Sequence, residues 1–145
     1  MKIIFLDIDG VLVTRKHQIS IDYKEAKDKL SKFNPEVVKF INEIQNKTDA
    51  KIVVTSTWRT AGLEKIQEIF KKRGIKNIID VTPIGFEYKN RSEEINHWIY
   101  LNDVESFIII DDMDIDGLYD NLIKVDAEFG LISSKKAIKI LNGYS

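Results

Sequence analysis

Short apolar runs recur along this chain and predict buried β-strands. The runs span residues 3–8, 52–55, 107–110 and 122–125, and each contains β-branched side chains. A weaker run at 78–81 ends just before Pro83 and Gly85, so it predicts either a fifth strand or a loop packed on the core. Continuous apolar runs are typical of strands that are buried on both faces.

Segments with helical spacing lie between the apolar runs. Val37, Ile41 and Ile44 fall on one face of a predicted helix. Asn34 is placed to cap this helix, and Pro35 to occupy its first position. The other helical stripes are Leu63, Ile66, Ile69 and Phe70; Ile95, Trp98, Ile99 and Leu101; and Ala137, Ile138 and Leu141. Strands therefore alternate with helices along the chain.

This alternation predicts the fold class. Strand–helix–strand units connect by right-handed crossovers and give a mainly parallel sheet with helices on both faces. At 145 residues with 43% hydrophobic side chains, the chain fits a single domain of the three-layer, Rossmann-like α/β class. The mostly polar stretch around residues 14–33 predicts a short flap or insertion in that domain. Ligands of such folds bind at the carboxyl ends of the strands.

Composition and charge narrow the classes of function. Lys and Arg number 22 against 23 Asp and Glu, so the basic excess of a general nucleic-acid binder is absent. The chain has no cysteine, which excludes disulfide frameworks, thiolate metal sites and cysteine nucleophiles. The first apolar run is too short for a signal-peptide core or a membrane span, so we expect a soluble, cytoplasmic protein with no membrane partner.

Two pairs of aspartates stand at the ends of predicted strands. Asp7 and Asp9 end the first apolar run, and Asp111 and Asp112 follow the run at 107–110. Carboxylates two residues apart on a strand point the same way. Several like charges at neighbouring strand ends are costly unless a cation or protons intervene. Because ligand sets made only of oxygen suit Mg²⁺, the pattern predicts a magnesium site that is shared with a phosphate.

Thr55 and Ser56 follow the second apolar run directly. They offer a hydroxyl and backbone N–H groups, which donate to phosphate oxygens. A Thr-Ser pair after a strand is also typical of a turn or a helix cap. The position of the pair between the two acidic motifs favours phosphate binding.

The order of these motifs resembles the haloacid dehalogenase (HAD) superfamily of phosphatases. The motifs are Asp7-Ile8-Asp9-Gly10, Thr55-Ser56, a basic residue, and Asp111-Asp112 with Asp116 four residues further on. The pair Trp58-Arg59 is similar to one in small members of the superfamily, including HAD domains of RNA-repair proteins. The insertion at 14–33 is too short for the large cap domain of many relatives, so we expect an open site.

The resemblance implies a role for each aspartate. Asp7 would be the nucleophile that forms an aspartyl phosphate, and Asp9 the general acid for the leaving alcohol and then the base for water. The dehalogenase branch lacks the second aspartate, so Asp9 favours phosphoryl transfer. Mg²⁺ would be held by Asp7, the Asp9 carbonyl and Asp112, with Asp111 and Asp116 supporting this shell.

The basic residue of the third motif has two candidates, Lys89 and Arg91. Arg91 is favoured because small members that resemble this chain carry an Arg followed three residues on by Glu and Ile, as in Glu94 and Ile95. Either cation would offset the charge between Asp7 and an incoming phosphate. The catalytic set is then Asp7, Asp9, Thr55 and Arg91. The residues that the resemblance implies for binding the substrate or its phosphate are Gly10, Thr55, Ser56, Arg59 and Lys89.

Trp58 and Arg59 leave two interpretations open. A base stacked on Trp58, with Arg59 on a phosphate, would indicate a nucleic-acid substrate. Alternatively, Trp58 packs under the next helix and Arg59 pairs with an acid such as Asp112 or Asp116. The basic surplus of the insertion is likewise either a solvated face or a means of steering a phosphorylated substrate.

The leading hypothesis is a Mg²⁺-dependent phosphomonoester phosphatase. Its partner would be a phosphorylated substrate, either a small molecule such as a nucleotide or a nucleic-acid end. A phosphoacceptor signalling receiver also gathers acids and a hydroxyl at strand ends, but its acidic pair comes first in the chain. A metal-dependent nuclease or primase core places a lone Glu before its Asp-x-Asp, the reverse of the order here. A phosphate-binding module without turnover is the remaining alternative.

Overall fold

Five parallel strands form one sheet in the computed structural model, which describes residues 1–20, 33–85 and 87–143. The strands are β1 (Lys2–Leu6), β2 (Lys51–Val54), β3 (Ile78–Val81), β4 (Ser106–Asp111) and β5 (Leu122–Lys124). They lie in the order β3-β2-β1-β4-β5, and every neighbouring pair is parallel. The weaker run at 78–81 is therefore a strand, at one edge of the sheet.

Five α-helices accompany these strands in the described part of the chain. They are α1 (Arg15–Ser20), α2 (Pro35–Thr48), α3 (Leu63–Lys72), α4 (Arg91–Leu101) and α5 (Lys135–Leu141). Short 3₁₀ turns occupy Thr57–Ala61 and Tyr119–Asn121. The Asn34 side chain accepts a hydrogen bond from the Glu36 N–H at 3.0 Å, and so caps α2 as predicted. None of the helices within these ranges has the length and apolar character needed to cross a bilayer.

The side chains of β1 alternate between two cores, one on each face of the sheet. Ile4 and Leu6 pack in the core that α2, α3 and α5 cover, and Ile3 and Phe5 pack in the core that α4 covers. On the α4 side, Trp98 stands edge-on to Phe5 with ring centroids 5.7 Å apart. Helices on both faces of a parallel sheet confirm the predicted three-layer α/β class.

The register of the sheet brings the carboxyl ends of three strands to one level. Leu6 is paired with Val54 of β2 and with Ile110 of β4. The ladder continues one residue further, because the Asp7 N–H donates to the Ile110 carbonyl at 3.1 Å and the Thr55 N–H to the Leu6 carbonyl at 3.0 Å. Asp7 and Thr55 are therefore held side by side at the edge where β4 also ends.

The prediction that Leu101 belongs to the buried stripe of α4 is wrong. Ile95 and Trp98 are buried as expected, whereas Leu101 is 64% exposed. It follows Ile95 by six residues, which is roughly 240° around a helix of 3.6 residues per turn. Its side chain therefore faces away from the core that Ile95 enters.

The polar segment around residues 14–33 is described only at its two ends. Helix α1 begins it, and the first two backbone N–H groups of α1 donate to the carbonyls of Ala127 and Glu128 at 3.1 and 3.0 Å. The rest of the predicted flap, residues 21–32, lies outside the described residues.

The contrast between a buried and an exposed apolar side chain yields a stability prediction. Ile44 is fully buried on α2, so Ile44→Ala should lower the free energy of unfolding by about 2–5 kcal/mol through lost apolar contacts and a new cavity. Leu101→Ala should change it by less than about 0.5 kcal/mol because this side chain is already solvated. Urea unfolding followed by circular dichroism measures both. Equal losses for the two variants would contradict the core assignment.

Candidate active site

Three carboxylates converge at the carboxyl edge of the sheet. One oxygen from each of Asp7, Asp111 and Asp112 lies within 4.8 Å of the others. Asp7 directly follows β1, Asp111 is the last residue of β4, and Asp112 comes next, so the level strand ends produce this convergence. Three carboxylates this close form a ligand set made only of oxygen, which suits a hard divalent cation.

Arg91, the first residue of α4, brings a positive charge into this carboxylate cluster. Its Nη1 lies 2.6 Å from Asp111 Oδ2 and 3.3 Å from Asp7 Oδ2. Burial by itself would lower the pKa of Arg91, but the hydrogen bond and charge of Asp111, with the charge of Asp7, leave that pKa raised. Of the two candidates for the third motif, Arg91 is the one whose side chain contacts the cluster.

The surroundings of Asp7 disfavour the charged form of its carboxyl. Burial, and then the charges of Asp111 and Asp112, raise the pKa of Asp7 from 3.8 to about 6. Arg91 and the Ile8 N–H, which donates to Asp7 Oδ1 at 2.9 Å, oppose this shift without cancelling it. The pKa of Asp112 is also raised, by burial and by its contact with Asp111. The cluster therefore holds more negative charge than Arg91 alone neutralises.

Gly10 allows the loop after β1 to approach this cluster. Its φ is +81°, and a Cβ on it would lie 2.4 Å from Asp112 Oδ2. Its N–H donates to the Val13 carbonyl at 2.9 Å, which closes the turn that follows β1. A side chain at this position would displace Asp112 from the other two carboxylates.

The Thr55 hydroxyl is a donor without a partner at the end of β2. Thr55 is completely buried, and its Oγ1 has no hydrogen-bond partner within residues 1–20, 33–85 and 87–143. A buried hydroxyl left in this state costs free energy, which a bound acceptor would recover. Because β2 neighbours β1, this hydroxyl belongs to the same edge as Asp7.

Ser56 and Trp58 form the turn that follows Thr55. Ser56 Oγ accepts a hydrogen bond from the Trp58 N–H at 3.2 Å, so Ser56 caps the 3₁₀ turn. Trp58 is half-buried against Phe33, with ring centroids 5.9 Å apart, and its indole N–H donates to Asp9 Oδ2 at 3.2 Å. Asp9 is exposed and its carboxylate is not one of the three that converge. Trp58 therefore orients the second aspartate of the first motif.

Arg59 is buried in an ion pair. Its side chain is 7% exposed, one terminal nitrogen donates to Glu94 Oε2, and the other donates to the Thr55 carbonyl. The partner is thus Glu94 of α4, and not Asp112 or Asp116. Arg59 ties the end of β2 to the helix that carries Arg91, and its predicted contact with substrate phosphate stays a prediction.

A cleft of about 430 Å³ opens between the loop after β3 and the loop after β4. Lys89 and Asp116, both exposed, line it together with Arg91. The Asp116 carboxylate accepts a hydrogen bond from the Tyr119 hydroxyl at 3.2 Å. Asp116 is outside the group of three converging carboxylates, so its predicted support of the metal shell stays a prediction.

Sequence reasoning missed Glu94 and Tyr88 as parts of the site. The third motif includes Glu94 without implying a role for it, although an acid three residues after Arg91 on a helix faces the same side as that arginine. Tyr88 lines the cleft. It could have been predicted from its position in the loop after β3, because ligands of this fold bind at the carboxyl ends of the strands.

Comparison with known proteins places this chain in a family. The family model described as the HAD domain in Swiss Army Knife RNA repair proteins matches residues 3–135. Neither the curated proteins nor the solved structures provide a significant match. The matched range includes every site residue described above, and the level strand ends with their aspartates agree with it. The chain therefore belongs to the family of HAD domains found in Swiss Army Knife RNA repair proteins, which is of the HAD-type hydrolase class.

Proposed function

We propose that this chain is a Mg²⁺-dependent phosphomonoester phosphatase that acts through an aspartyl phosphate on Asp7. The convergence of Asp7, Asp111 and Asp112 is the observation that supports this proposal most strongly. Membership in a HAD family supports it independently. Nucleotides and nucleic-acid ends are the favoured substrates, because the family is described from RNA-repair proteins.

The donor set fits a magnesium ion. Asp7, Asp112 and the Asp9 carbonyl are the proposed ligands, all of them oxygens. Asp111 already accepts hydrogen bonds from Arg91 and, at 3.0 Å, from the Met113 N–H, so its role is to orient its neighbours. Burial and the neighbouring Asp111 raise the pKa values of Asp7 and Asp112, and a bound cation would lower them again. When bound, the ion supplies positive charge beside the phosphoryl oxygens.

Asp7 and Asp9 carry the two chemical steps. A bond forms between an Asp7 carboxylate oxygen and phosphorus while the bond from phosphorus to the leaving oxygen breaks, and Asp9 gives that oxygen its proton. Asp9, now a carboxylate, takes a proton from water, whose oxygen attacks phosphorus. Inorganic phosphate leaves and the Asp7 carboxylate is restored. The hydrogen bond from Trp58 holds Asp9 in one orientation between the two steps.

Arg91 and Thr55 are proposed to stabilise the charge that this chemistry builds up. The Arg91 guanidinium offsets the repulsion between Asp7 and a phosphate dianion. The Thr55 hydroxyl, which has no partner among the described residues, donates to a phosphoryl oxygen.

Removing the nucleophile tests the proposal directly. Asp7→Asn should lower the Mg²⁺-dependent hydrolysis of p-nitrophenyl phosphate by at least about 1,000-fold, because an amide cannot form the acyl phosphate. Asp120→Asn, an exposed aspartate just before β5, is the matched control and should keep wild-type activity. Full activity in Asp7→Asn would falsify the mechanism, and binding of a phosphate analogue without any wild-type turnover would favour a silent binding module.

The raised pKa of Asp7 predicts how stability depends on pH without metal. The pKa of Asp7 is raised to about 6 in the folded protein, against 3.8 for an unperturbed aspartate, so folding favours the protonated form of this carboxyl. Its contribution to stability is complete below pH 3.8 and is lost as the pH rises through 6. With chelator present, the free energy of unfolding of wild type should fall relative to Asp7→Asn by roughly 3 kcal/mol between pH 4 and 7, at about 1.4 kcal/mol per pKa unit. Urea titrations at several pH values measure it, and a constant difference would contradict the electrostatic origin.

The choice between Arg91 and Lys89 as the catalytic cation has its own test. Arg91→Ala should lower kcat/KM for p-nitrophenyl phosphate by about 100- to 1,000-fold, as expected for a preorganised charge at a reacting group. Arg91→Lys should recover part of this loss because it restores the charge without the planar guanidinium. If Lys89→Ala proved the more damaging of the two alanine variants, the assignment would pass to Lys89.

A further inference from the structure

The cleft shares a wall with the carboxylate cluster. Arg91 lines the cleft, and its Nη1 lies 3.3 Å from Asp7 Oδ2. A phosphomonoester whose phosphate lies at Asp7 would therefore have this cleft next to it, on the other side of Arg91. At about 430 Å³ the cleft is large enough for a small organic molecule, and not only for water.

Apolar side chains stand open to solvent on both sides of the cleft. Ile84, from the loop after β3, is 57% exposed, and Met113, from the loop after β4, is 61% exposed. Tyr88, which is half-buried, also lines the cleft, and its ring makes an edge-on contact with the His97 ring, with centroids 5.4 Å apart. A flat ring that enters the cleft would remove these apolar surfaces from water and find an ordered aromatic ring to pack on.

The positive charges of the cleft differ in how they are compensated. Arg59 is paired with Glu94, and Arg91 is paired with Asp111 and Asp7. The Lys89 ammonium, by contrast, has neither an ion pair nor a hydrogen bond to any residue that the structure describes. Because Arg91 already serves the phosphoryl group at Asp7, Lys89 is the cation available to a second anion on the same substrate.

The carboxylates of the cleft distinguish between classes of anionic ligand. Asp114 is paired with Lys124 at 3.0 Å. Among the residues that the structure describes, the Asp116 carboxylate accepts a hydrogen bond from the Tyr119 hydroxyl and from no other donor. An acidic peptide would bring further negative charge toward Asp116. A nucleobase, in contrast, carries amino and imino N–H groups that can donate hydrogen bonds to the Asp116 carboxylate.

We propose that this cleft binds the leaving group of the substrate and selects nucleotides that carry a second phosphate. Lys89 binds that second phosphate, and Tyr88 packs against the base. The proposal rests on the phosphatase activity proposed above. The reaction consumes water, breaks the bond between phosphorus and the leaving oxygen at one phosphate, and releases inorganic phosphate and a nucleotide that keeps the other.

Matched substrates isolate the second phosphate. We expect kcat/KM for adenosine 3′,5′-bisphosphate to exceed that for adenosine 3′-monophosphate and that for adenosine 5′-monophosphate by about tenfold or more, the usual effect of one charge-assisted hydrogen bond. A 3′-phosphorylated dinucleotide, whose second phosphate is a diester, should show the same advantage. The better of these two substrates identifies a free nucleotide or a nucleic-acid end as the source of the ligand.

Substitution of Lys89 tests whether this residue binds the second phosphate, because the two substrates are compared on the same variant. In Lys89→Ala the ratio of bisphosphate to monophosphate kcat/KM should fall to within about twofold of one, and Lys89→Arg should restore most of it. Lys139→Ala, which removes an exposed lysine from α5 on the other face of the sheet, should leave the ratio at the wild-type value. Because the ratio compares two substrates of one variant, partial loss of folded protein does not affect it.

Three outcomes separate the possible failures. If wild type does not hydrolyse p-nitrophenyl phosphate with Mg²⁺, the phosphatase proposal fails. If it does so but shows no preference for the bisphosphate, or keeps the preference in Lys89→Ala, only the assignment of the cleft is overturned. Faster hydrolysis of an acidic phosphotyrosine peptide than of the bisphosphate would overturn the substrate class.

Discussion

The concentration of negative charge at one edge of the sheet is the constraint on which the rest of this site depends. Three carboxylates meet there because β1 and β4 end at the same level. Such an arrangement is unfavourable by itself, as the raised pKa of Asp7 indicates. Arg91 relieves part of the repulsion, and a divalent cation would relieve the remainder. The chain therefore maintains a site whose stability and proposed function both depend on positive charge.

The start of α4 is the second element of this arrangement. Arg91 reaches Asp7 and Asp111, while Glu94, on the same side of the helix, binds the buried Arg59. Arg59 in turn donates to the Thr55 carbonyl at the end of β2. A continuous set of polar contacts thus joins the end of β2, the start of α4 and the carboxylate cluster. This connection gives Arg59 a structural reason to be buried, beyond any contact with phosphate.

The site is divided between a small reaction centre and a larger cleft. The centre is built from strand ends, whose positions the parallel ladder sets to within one residue. The cleft is built from the loops after β3 and β4, which place Ile84, Tyr88 and Met113. Loops vary more freely than strand ends, so chemistry can be kept while the leaving group changes. Selectivity is therefore expected in the loops and reaction type in the strands.

The amino-acid sequence by itself determined the strands, the α/β class and the aspartates at the strand ends, because apolar periodicity and motif order are local properties. It left Lys89 and Arg91 as alternatives, since two cations two residues apart are distinguished only by where a helix begins. It misassigned Leu101, and it could not pair Arg59 with Glu94, which lies 35 residues away. The level ends of β1, β2 and β4 and the cleft between distant loops depend on the tertiary structure, because register and loop packing arise from contacts between segments that are far apart in the chain.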